Sequence, residues 1–358
     1  MRERSVAVGA TIDEALEMLS DTGPEWGYGE LQALSNHGPM GAEALCALGR
    51  DEAVVPWVER YKRRLQGHPE PRNPISREEW REALGDGGRI GDWIAFFDRE
   101  LDEAMWQNVL NQWVPRLASG FIAAATHGAI RTGHAVRSLA ADETTPRKHE
   151  LAEGLAYWAA RYVQLPGAPA SSGESLPPSQ AIGHVKPLSP DERENFGLIT
   201  DTLRRLDNYP PFDGVADLVD TSGDASHFVA DLTETFAHVY LANASEGDVI
   251  GLIHCVTGPS AIRLLAPQLA PETRAMLLRY GWQAAAALYV ALAHEPGGGE
   301  IEQPAGTIDD LIDRSVATKD EHAIKFTEAC LREYALNPKP VYLAAAADAT
   351  GRLAARQR

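Results

Sequence analysis

The chain has 358 residues, of which 44% are apolar and 23% charged, ordinary globular proportions that exclude disorder along the whole length and allow one large domain or two common ones. With 51 acidic against 33 basic side chains the net charge is −18, which repels phosphate backbones and anionic lipid, so neither nucleic acid nor a membrane surface is an expected partner. The three cysteines, Cys46, Cys255 and Cys330, are too few and too widely spaced for a disulfide framework or a Cys-rich zinc module, and a reducing cytoplasm is the expected location.

The N-terminus, MRERSVAVGATIDEALEML, is charged and then amphipathic, without the apolar run of a secretory signal. Thr11 and Glu14 form a capping-box pattern ahead of Ile12, Ala15, Leu16 and Leu19, one face of a helix. Leu101, Met105, Val109, Trp113 and Leu117 recur every four residues, predicting a helix that Pro115 kinks or restarts and that continues through His127. Further helical runs are expected over 151–163, 227–243, 271–293, 307–316 and 319–334, and Ser189, Pro190 and Glu192 read as a start signal before Phe196, Leu198, Leu203 and Leu206. Alternating strand patterns are nearly absent, so the expected fold class is all-α. The longest membrane candidate, Trp282 to Ala293, contains Gln283 and is too short to cross.

The segment 165–190, LPGAPASSGESLPPSQAIGHVKPLSP, is too rich in Pro, Gly and Ser for one regular element and reads as a surface loop or linker. Because candidate functional histidines lie on both sides of it, we expect a single large helical domain over 1–358 with this stretch as an excursion. A second break falls at 295–306.

Common cofactor and nucleophile signatures are missing. The glycines at 85, 87, 88 and 91 do not make GxGxxG, and no Walker A loop, HExxH or GxSxG occurs. Histidine remains. His37, in LSNHGPM, sits at a turn beside Gly38 and Pro39, and alone reads as a turn histidine. His127 and His134 lie two helical turns apart on one face in an apolar, small-residue stretch, which leaves a hydrogen-bonded core pair and a functional pair equally open. His254, in GLIHCVTGPSAI, reads alone as a core histidine, and His322 with Lys325, in KDEHAIKF, as a solvated charge run on a helix opened by Asp320 and Glu321. His238 is assigned to packing, and His68, His149, His184, His227 and His294 to the surface.

Taken in order, LSNHGPMGAEAL, WVPRLASGFIAAATHGAIRTGHA, IHCVTGPSAIRLLAP and DEHAIK resemble the questin oxidase-like family over about Asn36 to Ala329. The resemblance implies an all-helical oxygenase that uses O2 to open a ring of an anthraquinone or related aromatic polyketide, with a formal Baeyer-Villiger outcome. It also implies non-haem iron held by several histidines and a carboxylated lysine. Carried over residue by residue, it nominates His37, His127, His254 and His322 as ligands and Lys325 as the modified lysine. Fungal members tend to carry a second histidine four residues after the match to His127 and an aromatic residue seven after it. Here those positions are Arg131 and His134, expected to serve as a substrate anion partner and a proton shuttle. Reduced nicotinamide, NADPH, is the implied electron source, without a binding motif of its own. Two other readings compete: a non-catalytic helical binding protein for a polyketide-sized ligand, and a metal-independent Baeyer-Villiger enzyme whose histidines act only as acids and bases.

Overall fold

A computed structural model describes residues 2–26, 33–167, 175–193, 198–244 and 249–356, with side chains from residue 11 onward. In chain order the regular elements are α1 (Arg2–Leu19), β1 (Thr22–Trp26), β2 (Ala33–Leu34), α2 (Gly38–Ala47), α3 (Asp51–Tyr61), β3 (Leu65–Gly67), α4 (Ile90–Glu103), α5 (Trp106–Leu117), α6 (His127–Ala141) and α7 (Thr145–Ala160). They continue as α8 (Pro178–Ala181), α9 (Ile199–Leu203), α10 (Ala225–Asn243), α11 (Val249–Leu265), α12 (Pro271–Leu292), α13 (Ile308–Thr318), α14 (Glu321–Leu336) and α15 (Pro340–Arg356), with short 3-10 turns between them. The fold is all-α apart from one small sheet.

Helix ends follow local chemistry where capping residues are decisive. Thr307 and Asp310 cap α13 reciprocally, and Asp320 accepts from the backbone of His322 and Ala323 to start α14. Elsewhere tertiary packing overrides the pattern. α1 begins at Arg2, so Thr11 lies inside it rather than at its start. The expected helix through Leu101 breaks at Ala104 and Met105, where Asp102 and Glu103 crowd the negative end of α4. α5 ends two residues after Pro115, and a 3-10 turn over Ala118–Gly120 leads to three consecutive non-glycine residues with positive φ, Ala124 (49°), Ala125 (55°) and Thr126 (70°). The helix therefore does not run through to His127; it restarts there. The Ser189–Glu192 pattern closes a 3-10 turn, the serine backbone and hydroxyl both donating to Glu192; Phe196 lies outside the described residues.

The sheet order is β2-β1-β3, antiparallel throughout, with Glu25 opposite both Leu34 and Leu65. Register shifts between Thr22 and Glu25, where Pro24 has no N–H to give a ladder. Strand alternation turns Glu25 inward and Trp26 outward.

The main core runs from Ile75 to Leu353 and draws on both sides of the 165–190 segment, α7 packing on α4 and α6, and α11 on α6, α10 and α12. Its aromatic centre is Trp80, Trp93, Phe96, Phe97 and Trp113, in largely edge-to-face contact. A smaller cluster joins α1, α2 and α3 to Ile312 and Ile324. Within 165–190 the described part holds α8, a 3-10 turn and a bridge from Leu176 to Val219. Among the described residues the helix long and apolar enough to cross a membrane is not the candidate at 282–293 but Val249–Gln268, and 83% of its most apolar window is buried inside the fold. The three cysteines are free thiols.

Candidate metal centre

Four helices pack in a closed cycle, α2 on α6, α6 on α11, α11 on α14 and α14 on α2. Each carries one of the nominated histidines toward its middle: His37 at the N-cap of α2, His127 opening α6, His254 within α11 and His322 in the first turn of α14. His37 is turned inward because Gly38 and Pro39 start the helix directly behind it. His127 is aimed by the left-handed run before it. Three non-glycine residues in this region cost roughly 1–3 kcal/mol each, and the strain sits immediately ahead of a candidate ligand. Gly128 lets α6 approach α7, since a Cβ there would lie 2.7 Å from the backbone of Trp158. Met40, Ile130 and Ala261, from three of the four helices, form a small buried apolar cluster.

The hydrogen-bond directions of three of the imidazoles decide what the site can hold. His127 Nδ1 lies 2.5 Å from the Ala124 carbonyl, His254 Nδ1 2.6 Å from the Ile250 carbonyl and His37 Nδ1 2.7 Å from Glu25 Oε1. Carbonyls and carboxylates only accept, so each Nδ1 must carry the hydrogen and each Nε2 a lone pair. The Nε2 of His127 faces both others, His37 at 2.8 Å and His254 at 3.2 Å. Facing lone pairs with no hydrogen between them repel unless a cation sits among them. Nitrogens bound to one transition ion at about 2.1 Å are separated by roughly 3.0 to 3.4 Å, close to the spacing found. His37, His127 and His322 offer ligand nitrogens all within 4.8 Å of one another, while His254 stands beside this trio through His127, its ring centroid 5.7 Å from that of His322.

Burial pushes His37, His127 and His254 well below the usual imidazole range, and the positive charge on Lys325 adds to the shift. They are therefore neutral, the form that binds metal. Lys325, one turn beyond His322, is 3% exposed, and among the described residues its Nζ makes no hydrogen bond or ion pair. Burial brings its amine down to about 8 against the opposing pull of Glu321, Glu25 and Asp320. An amine so placed is uncharged more often at neutral pH than an exposed lysine.

Behind His37 lies an anionic support. Glu25 Oε1 accepts from His37 and from the Tyr61 hydroxyl, while Tyr61 Oη in turn accepts from the His37 backbone at 2.6 Å. Arg64 bridges Glu25 Oε2 at 2.9 Å and Glu321 at 2.9 and 3.1 Å. Burial and the nearby Glu321 charge raise the Glu25 carboxyl, and burial raises the Tyr61 phenol far above its usual range, so Tyr61 stays a donor. A carboxylate fixing the far nitrogen of a histidine ligand is a recurrent outer support of metal sites.

A family model for questin oxidase-like proteins matches residues 34–330. The chain belongs to the questin oxidase-like family. No curated protein matches it. Membership supports an oxidoreductase, and the span includes all four histidines and Lys325.

In this family member the other two nominated residues, Arg131 and His134, are engaged outside the histidine group. Arg131 holds Glu150 through two bonds of 2.7 and 2.8 Å and reaches Glu153 at 3.1 Å, so its charge is matched inside the protein. His134 Nδ1 lies 2.6 Å from Glu43, which also accepts from Arg137, and Arg137 reaches Glu328. Burial lowers the His134 imidazole while Glu43 pulls it back up. His184, His227 and His294 are exposed and His238 half-buried, while His68 and His149, assigned to the surface, are half-buried and bonded to carboxylates. Glu25, Tyr61 and Arg64 were missed. Only Glu321, beside His322, carried a local signal; the others come from β1, α3 and the turn after α3, and no periodicity connects them to His37.

Proposed function

We propose that this chain is a non-haem iron oxygenase acting with O2 on an aromatic polyketide or anthraquinone-like substrate, with oxidative ring cleavage of formal Baeyer-Villiger type. The facing of neutral, buried Nε2 lone pairs at His127 carries the reading, because neither acid-base catalysis nor passive binding of an apolar ligand needs acceptors aimed at each other. His37, His127, His254 and His322 would hold the ion, and Lys325 as a carbamate would add the anionic oxygen that four neutral imidazoles leave wanting. When bound, iron supplies one-electron chemistry toward O2 and the aromatic ring. The protein's own part is positioning: the Ala124 and Ile250 carbonyls and Glu25 fix three ring orientations.

His134 keeps Nδ1 on Glu43 and in this proposal offers Nε2 for proton transfer; among the described residues that nitrogen has no bond. Arg131, already matched by Glu150 and Glu153, braces α6 on α7 rather than meeting an anionic substrate. NADPH is proposed as a diffusible electron source, since the described sheet is a short antiparallel ribbon without the parallel crevice of a dinucleotide fold. We further propose that 1–358 works as one domain in the cytoplasm, with neither nucleic acid nor membrane as partner. Elemental analysis of untagged protein tests the central claim: near one iron per chain is expected in the wild type and little in His127→Ala, whereas negligible metal in the wild type refutes it.

A further inference from the structure

His149 and Glu153 lie four residues apart on one face of α7, and His68 directly follows β3. The three meet away from the four-helix cycle, their ligand atoms all within 4.8 Å of one another. His149 Nδ1 is held 2.9 Å from Asp98 Oδ1, so its hydrogen is spent there and Nε2 is left facing Glu153 Oε1 at 3.7 Å. His68 Nε2 lies 3.0 Å from the same Oε1. The other carboxylate oxygen, Oε2, is occupied by Arg131 at 3.1 Å, which anchors Glu153 and leaves Oε1 for an inward ligand. We propose that His68 Nε2, His149 Nε2 and Glu153 Oε1 form a second metal site, for a divalent transition ion of the zinc type.

The donor set decides the class of ion. Two imidazoles with one carboxylate oxygen suit zinc and its neighbours, whereas calcium and magnesium take oxygen cages. Charge also fits, since Glu150 and Glu153 share the single guanidinium of Arg131 and Asp98 adds a third carboxylate at His149. Side-chain exposures of 24% for His68 and 32% for His149 against 9% for Glu153 open the site to solvent on the histidine side, where an ion enters and water completes its shell. On binding, the hydrogen on His68 Nε2 passes to Nδ1 or to solvent, which frees the Nε2 lone pair, and Glu153 Oε1 passes from accepting that hydrogen to ligating the ion. The ion would tie the end of β3, partner of the strand that carries Glu25, to α7. This tie is independent of the iron site.

Equilibrium dialysis of purified protein against zinc, with iron and zinc both counted by elemental analysis, tests the proposal. One zinc per chain is expected beyond whatever the central site holds, with no iron released. His68→Ala and His149→Ala should each abolish that uptake while circular dichroism and iron content stay unchanged, and Asp98→Asn should weaken it about 10- to 100-fold by freeing His149. Running the same dialysis in a His127→Ala background keeps the result readable if the central site binds zinc. Zinc uptake matched by equal iron loss, no uptake by the wild type, or unchanged uptake in both histidine variants overturns the proposal.

Discussion

Replacing Lys325 by methionine should make the metal-free protein more stable and the metal-binding protein worse. Methionine keeps a similar unbranched volume and removes a buried amine whose pKa falls from 10.5 to about 8 in the fold. At about 1.4 kcal/mol per unit, that depression means that holding the ammonium form costs the native state on the order of 3 kcal/mol at neutral pH. With an unfolding entropy of about 2.1 cal/mol/K per residue, the variant's Tm should rise by roughly 4 °C. The sign over pH follows from the direction of the shift. Between about 8 and 10.5 the unfolded chain holds the proton and the folded chain does not, so wild-type stability climbs with pH across that window. The advantage of Lys325→Met is therefore full below about pH 8 and gone above 10.5. Thermal melts of both chains, stripped with chelator in buffer free of carbon dioxide, at pH 7, 9 and 10.5 measure the gap. Iron-binding titrations in bicarbonate should then reverse the order, with Lys325→Met and Lys325→Arg both retaining less metal than the wild type. A stripped Lys325→Met less stable than wild type at pH 7, or a gap that does not shrink with pH, would refute the account of a desolvated amine.

Other consequences can be measured separately. His127→Ala should lose iron and activity together, whereas His134→Ala should keep its iron and turn over more slowly, because His134 is bonded to Glu43 outside the histidine group; equal iron loss in both would place His134 among the ligands. Glu25→Gln removes the carboxylate that fixes His37 and should weaken iron binding about 10- to 100-fold with helix content unchanged, as read by competition with a chelator. Against the burial that would raise it, Arg137 and His134 hold the Glu43 carboxyl at about 2 rather than 4.5. Its contribution to stability is therefore present above about pH 4.5 and lost as pH falls through about 2. Glu43→Gln should cost on the order of 3 kcal/mol in urea unfolding at pH 7 and progressively less as the pH approaches 2; a cost independent of pH would show that the pair with Arg137 is not its source.

Local chemistry was enough to define much of the helical framework. The runs expected at 227–243, 271–293 and 319–334 match α10, α12 and α14 to within about two residues, because an apolar stripe at helical spacing and a capping aspartate or proline act over one or two turns and need no distant partner. The ordered set of histidine segments likewise pointed to the family. The helix expected through His127 did not form, because the left-handed turn at Ala124, Ala125 and Thr126 is a strained conformation that no propensity favours and only surrounding packing sustains. Which nitrogen of each imidazole carries hydrogen depends on carbonyls and a carboxylate whose placement relative to the other rings is set by the fold. Glu25 reaches His37 from a strand, Tyr61 and Arg64 from α3 and the turn after it, and His68 meets His149 across 81 residues of chain. Coordination is a property of angles among side chains held by separate elements. Sequence spacing encodes faces of single helices, and only the closed packing of α2, α6, α11 and α14 brings four such faces together.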